Sequence, residues 1–142
     1  MRVLGLDVGD RRIGVALSDE SGTVAQGRGV YTCRGEEEDL SYFAELCRRE
    51  GVEKIVVGLP LHMDGSEGEQ AAKARAFGEA LGARTGLPVE FLDERLTTVE
   101  ANRVLREAGL GGRRRRKVRD QLSAVLILQA WLDSNRPQGP PM

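Results

Sequence analysis

Four acidic positions have the spacing and surroundings to handle oxygen chemistry. Asp7 ends an apolar run inside Gly5-Leu6-Asp7-Val8-Gly9. A charge at the end of a buried strand is costly unless something pairs with it, and a divalent cation is a natural partner. Gly9 would let a substrate backbone come close. An Asp that merely caps a turn is the plainer alternative at this position. Asp93 and Glu94, followed by Arg95, close the last strand-like run. Adjacent strand residues point to opposite faces, so only one of the two acids can join Asp7. Asp120 offers a third acid from an apolar helix. Three carboxylates from separate elements, meeting at one end of a sheet, would suit Mg²⁺ or Mn²⁺, since oxygen ligands without His or Cys argue against zinc. Two such ions about 3.5–4 Å apart could activate a water and stabilise a leaving oxygen.

The remaining candidates concern binding. Residues 113 to 119 read Arg-Arg-Arg-Arg-Lys-Val-Arg, six positive charges with no acid among them. The net charge is −1, so the rest of the chain carries −7. One concentrated basic segment on a mildly acidic body is either a solvated loop or a clamp for phosphates. His62, the only histidine, follows Leu59-Pro60-Leu61 and is either a loop residue or a proton-transfer group. Asp64-Gly65-Ser66 reads as a turn and helix cap, with the helix start a potential phosphate contact. Arg95 could pair with a phosphate or with Asp93. Three Phe, two Tyr and one Trp leave little material for stacking bases, which speaks against sequence-specific reading of single strands.

The elements that must position these groups follow from periodicity. Val3 to Val8 and Ile13 to Leu17 read as strands around the turn Gly9-Asp10-Arg11-Arg12, and Thr23 to Thr32 supplies a third. Connections this short require an antiparallel meander. Leu40, Phe43, Ala44 and Cys47 mark one face of a helix from Glu36 to Glu50, stopped by Gly51. Lys54 to Leu59 is a short apolar strand. Ser66 and Glu69 form a capping box that opens a helix through Ala74, Phe77 and Leu81, ended by Gly86. Val89 to Leu92 is a fifth strand. Thr97 and Glu100 form a second capping box, starting a helix with Ala101, Val104, Leu105 and Ala108 on one face. Gly109 to Lys117 reads as a loop. Val118 to Leu132 reads as a helix apolar almost all round, hence buried, with Trp131 in the core and Asp120 in its first turn.

This order predicts an α/β fold whose five-stranded mixed sheet is antiparallel through its first three strands and parallel at the fourth and fifth. Few folds begin in this way, and the ribonuclease H-like fold leads them. With 142 residues the chain should form one domain over residues 1–133, followed by a proline-rich, disordered tail over 134–142. Hydrophobic residues at 40% and charged residues at 30% suit a soluble protein. No apolar run reaches membrane-spanning length, and Met1-Arg2 leads straight into a strand with no room for a secretory signal. Cys33 and Cys47 follow no metal or redox spacing and are expected to be reduced in a cytoplasm.

Several motifs together resemble the YqgF/RuvX family. Leu4-Gly5-Leu6-Asp7-Val8-Gly9, Arg12-Ile13-Gly14-Val15-Ala16 and Ser18-Asp19 look like its opening. Val57-Gly58-Leu59-Pro60, Met63-Asp64-Gly65-Ser66-Glu67-Gly68 and Asp93-Glu94-Arg95-Leu96-Thr97-Thr98 look like its middle. The basic segment, Asp120 and Ile127-Leu128-Gln129 look like its end. Ser123 departs from the Ala usual there, and His62 from the common Asn.

The resemblance implies a ribonuclease H-like fold related to RuvC-type Holliday junction resolvases. It also implies an assigned role in maturing the 5′ end of pre-16S ribosomal RNA. Asp7, Glu94 and Asp120 would be catalytic residues and metal ligands, with Asp93 second to Glu94. Arg12, Arg95, Arg113, Arg114, Arg115, Arg116 and Lys117 would contact nucleic acid, either structured RNA or branched DNA, from a monomer or a homodimer with no membrane attachment. A resolvase of branched DNA and a binding module without turnover are the competing readings. An actin-like kinase shares the Asp-x-Gly opening but needs far more than 142 residues.

Overall fold

The computed structural model of the chain describes residues 1–96 and 113–135. Strands β1 (Arg2–Val8), β2 (Arg12–Ser18) and β3 (Ala25–Thr32) come first, followed by helix α1 (Glu36–Glu50). Strand β4 (Val52–Leu59), helix α2 (Glu69–Thr85) and strand β5 (Val89–Asp93) come next. A 3₁₀ turn (Glu94–Leu96) ends that run, and helix α3 (Arg113–Ser134) lies beyond it. The sheet order is β3-β2-β1-β4-β5. The β1–β2 and β2–β3 pairs are antiparallel, whereas β1–β4 and β4–β5 are parallel. This is the mixed sheet that the chain order requires: short turns can join only antiparallel neighbours, and each helical crossover adds a parallel strand.

Strand alternation sends side chains to two different layers. Leu4, Leu6 and Val8, with Ile13, Val15, Leu17, Ile55 and Val57, pack beneath Leu40, Phe43 and Leu46 of α1 and Leu81 of α2. Val3, Ala16 and Val56 pack on the other face beneath Ala124, Ile127, Leu128 and Trp131 of α3. The central strands are therefore covered on both sides, which explains their nearly unbroken apolar composition. Gly51 and Gly86 take the left-handed conformation that ends α1 and α2. Four acids in the first turn of α1 and two arginines in its last suit the helix dipole. Both cysteines are free thiols. No described helix is long and apolar enough to cross a membrane.

Three expectations need correction. Residue Gly68, not Ser66, precedes the first turn of α2, and no side chain caps it. The Ser66 hydroxyl and backbone N–H both donate to Asp64 Oδ1, at 2.6 and 2.9 Å, so a local turn has taken up the serine. Residues 113–117 are helical rather than loop, because arginine and lysine are good helix formers. Asp120 consequently lies about two turns inside α3, beyond the reach of an N-terminal dipole. That helix is also not buried all round: Val118 and Leu122 are exposed, while Trp131 is buried as expected. The Thr97–Glu100 capping box, its helix and residues 109–112 of the expected loop lie outside the described residues.

Candidate active site

Asp7 is the penultimate residue of β1 and is 2% exposed. It shares the α3 side of the sheet with Val3 and Gly5, because residues two apart on a strand face the same way. Its antiparallel partner is Gly14. A Cβ on Gly14 would lie 2.2 Å from the carbonyl oxygen of Asp120, so the α3 backbone rests directly on β2 at this point. On the other side, β1 and β4 run in register to Leu6 and Val57, and one step further brings Asp7 level with Gly58. A Cβ on Gly58 would lie 2.7 Å from Glu94 Oε2 and 2.5 Å from Ile127 Cδ1. Two strand glycines thus clear the space that Asp120 and Glu94 occupy on either flank of Asp7. Glycine in a strand interior often marks a close approach of this kind, a signal present in the sequence that element assignment passed over.

Glu94 begins the 3₁₀ turn after β5 and is 2% exposed. Asp93 takes a different route. Its carboxylate is held by Arg95 through Nε at 3.0 Å and Nη2 at 2.6 Å, and the Arg95 backbone N–H donates to it at 3.0 Å. That pairing holds Asp93 below the usual carboxylate range. Of the two neighbouring acids, Glu94 is the one buried against the α3 side, and Arg95 is occupied by Asp93 and by the Met63 carbonyl at 3.3 Å. Arg12 Nε lies 3.0 Å from Asp120 Oδ2.

Asp7, Glu94 and Asp120 therefore share one face, but they are not closed around a common point. Among the described residues, no three His, Cys, Asp or Glu side chains form a group that could hold a metal ion. In donor type the three acids fit a hard divalent cation, since they offer only carboxylate oxygens and two of them are almost fully enclosed.

Cys33 and Cys47 pack with the opposite layer. His62 is exposed, with its ring against Gly68 and its backbone N–H donating to the Ser66 carbonyl at 2.9 Å. Burial pushes the Cys47 thiol up to about 11 and raises that of Cys33, so neither supplies a thiolate nucleophile near neutrality. Residues Arg113 to Lys117 form the first turns of α3, the helix that carries Asp120.

Gln121, which sequence reasoning did not single out, ties the same helix to the sheet edge. The β2–β3 register shifts between Gly14 and Ala16, leaving a bulge in β3, and the Gly29 N–H at that bulge donates to Gln121 Oε1. Two turns further on, Gln129 Oε1 accepts from the Ala25 N–H at 2.9 Å. These two amides set the register of α3, and so of Asp120, against the sheet.

A sequence profile described as RuvX, Holliday junction resolvase, matches residues 1–134. A protein of Moorella thermoacetica named "Putative pre-16S rRNA nuclease" is 57% identical, over 94% of this chain and 95% of its own. One of the same name from Pelotomaculum thermopropionicum is 53% identical, over 97% of this chain and 91% of its own. In structure the chain is similar to T. thermophilus RuvC in complex with Holliday junction substrate, with a TM-score of 0.59, 15% identity, and coverage of 94% and 95% of the two chains. The Fowlpox virus resolvase bound to Holliday junction DNA gives a TM-score of 0.54 at 9% identity, over 94% and 98%. At such identities the likeness speaks for the fold, which is ribonuclease H-like as expected. The match over residues 1–134 places this chain in the RuvX family.

Proposed function

We propose that the chain is a metal-dependent endonuclease that hydrolyses phosphodiester bonds in structured RNA and matures the 5′ end of pre-16S ribosomal RNA in the cytoplasm. The observation that carries this reading is the enclosure of Asp7 and Glu94 on the sheet face crossed by α3, with Asp120 above them. Two almost water-free carboxylates beside a third are costly in a structural role and useful in a cation-binding one. The names of the relatives from Moorella and Pelotomaculum support the RNA substrate.

In this reading Asp7, Glu94 and Asp120 would hold Mg²⁺ or Mn²⁺. When bound there, the cation would supply Lewis acidity at a phosphoryl oxygen and would lower the pKa of water. Water attacks the phosphorus in line, the bond from phosphorus to the leaving oxygen breaks, and the proton given up by the water ends on that leaving oxygen. The protein's own part is to fix the carboxylates: Gly58 gives room to that of Glu94, Gly14 lets the α3 backbone come close at Asp120, and Gln121 and Gln129 seat the helix carrying Asp120. Arg113 to Lys117 bring positive charge to that helix, which favours a phosphate backbone over a small neutral substrate.

The second reading, cleavage of branched DNA, draws on the description of the family and on the fold shared with RuvC. Labelled pre-16S RNA and a four-way DNA junction, incubated with the purified protein in Mg²⁺, Mn²⁺ or EDTA, separate the two. Metal-dependent cutting of the RNA, lost in Asp7→Asn, is the expected result. Cutting of the junction alone would favour the resolvase. Binding of either without cutting under any condition would overturn both.

A further inference from the structure

We propose that Arg12 is an exchangeable counter-ion: it holds the Asp120 carboxylate while no cation is bound, then turns to a substrate phosphate once a cation takes Asp120. This rests on the reading of Asp7, Glu94 and Asp120 as cation ligands.

The backbone at Arg12 is tightly held. Its carbonyl accepts from the Gly9 N–H at 2.9 Å across the β1–β2 turn, and the residue is paired with Thr32 of β3. The neighbouring Arg11 carbonyl accepts from the Cys33 N–H at 2.8 Å. Motion is therefore left to the side chain. Strand alternation puts Arg12 on the same face as Gly14, over which the α3 backbone passes at Asp120. The guanidinium sits at the rim of that face, with its side chain 36% exposed against 13% for Asp120. The Nε atom lies 3.0 Å from Asp120 Oδ2 while the side chain as a whole reaches solvent.

The nature of the contact favours exchange. Arg95 grips Asp93 with both Nε and Nη2 and with its backbone N–H, a closed arrangement on one short segment. Arg12 and Asp120 form an ion pair with Nε 3.0 Å from Oδ2, without the set of hydrogen bonds that ties Arg95 to Asp93, and a guanidinium carries five N–H donors. Ion pairs near the surface are weak, because solvent screens them and the long side chain loses freedom. A dication beside Asp7 and Glu94 places twice the charge among three carboxylates and displaces the single charge of Arg12. The released guanidinium then stands beside the cation site, with the planar donor geometry that suits a phosphate. Arg12 thus balances the acidic face at rest and adds to the grip on substrate when the cation is present.

The test is calorimetric titration of Mn²⁺, without nucleic acid, into the full-length protein, Arg12→Gln and Asp7→Asn. Arg12→Gln is expected to bind Mn²⁺ about fivefold or more tightly, the lower end of usual coupling between two sites. A merely structural arginine would leave Mn²⁺ affinity unchanged or lower it, and either result overturns the proposal. Absence of binding by the unaltered protein, or equal binding by Asp7→Asn, would sink the cation-site reading and this proposal with it. A second measurement uses the unaltered protein, so it survives poor folding of the glutamine variant. The arginine Nε–H resonance that is missing from Arg12→Lys should move as Mg²⁺ is added, and an unmoved resonance contradicts the exchange. For the phosphate half, log affinity for a plain DNA duplex in Mg²⁺ should depend on log salt with a slope shallower by about 0.9 in Arg12→Gln. An equal slope would overturn the transfer.

Discussion

The two faces of the sheet are built on opposite rules. Beneath α1 and α2 the strands present large aliphatic side chains, and Phe43, Leu4, Leu6, Ile13 and Leu81 are almost fully buried. The buried acid on that side, Asp39, is engaged by the Tyr31 hydroxyl at 2.7 Å and the Arg34 N–H at 2.8 Å. Beneath α3 the strands give up volume at Gly5, Gly14 and Gly58, where a Cβ would strike Leu128, Asp120 or Glu94. Asp7 and Glu94 are enclosed there instead of aliphatic chains. One layer gains stability from area removed from water. The other gives up part of that gain to let the α3 backbone and the Glu94 carboxylate approach the strands closely. The contrast explains how a chain of 142 residues can keep costly buried acids: the α1–α2 layer carries the stability that the α3 layer forgoes.

The strongest way to break this comparison is to remove charge from the α3 face. Asp7→Asn should lower cleavage at least about a hundredfold, since even partners that only orient metal ligands cost tenfold to a hundredfold. Its melting temperature should stay within a few degrees. A variant that unfolds would make Asp7 structural. On the opposite face, Phe43→Ala should cost about 3–5 kcal/mol in chemical denaturation. Cleavage per folded molecule should be unchanged, because Phe43 packs in the α1–α2 layer, across the sheet from α3; a parallel loss of cleavage would erase the distinction between the faces.

Gly14→Ala adds one methyl where the nearest neighbour is backbone, so α3 must shift. About 1–3 kcal/mol of stability should go, with a larger fractional loss of cleavage than Phe43→Ala causes. Equal effects would show that the close approach is incidental.

The smallest effect belongs to Asp93. Arg95 holds its folded value below the ordinary one near 3.8, so its contribution is present above that value and fades as the pH falls through the lowered one. Both side chains are about one-third exposed, and screening limits the contribution to under about 1 kcal/mol. The stability gap between Asp93→Asn and the unaltered protein should therefore shrink on acidification, as denaturant midpoints from pH 7 down to pH 2 would reveal. A gap that widens instead would contradict the pairing.

The sheet was legible in the sequence because its signals are local. Strand runs, short turns and the periodicity of α1 together dictate which pairs are antiparallel and which parallel. The burial of Asp7 and the free thiols followed from the same kind of reading. The start of α3 did not. Arginines beside glycines look like a loop, although arginine itself is a good helix former. The capping box at Ser66 failed because Asp64, two residues away, competes for the same hydroxyl. The choice between Asp93 and Glu94 depends on where a 3₁₀ turn begins, and the seating of Asp120 depends on Gln121 meeting a bulge 92 residues away in the chain. Contacts of that range leave no periodic trace. The two strand glycines did leave one, as unexpected gaps in otherwise bulky strands.

Adjacent acids with opposite surroundings provide the most direct test. Cleavage of labelled pre-16S RNA in Mg²⁺ should be compared between Glu94→Gln and Asp93→Asn, each shown to be folded. Glu94→Gln should lose at least about a hundredfold. Asp93→Asn should stay within about threefold of the unaltered protein, as befits a screened, partly exposed ion pair. Full activity in Glu94→Gln, or its loss only in Asp93→Asn, would contradict the assignment of the α3 face as the catalytic one.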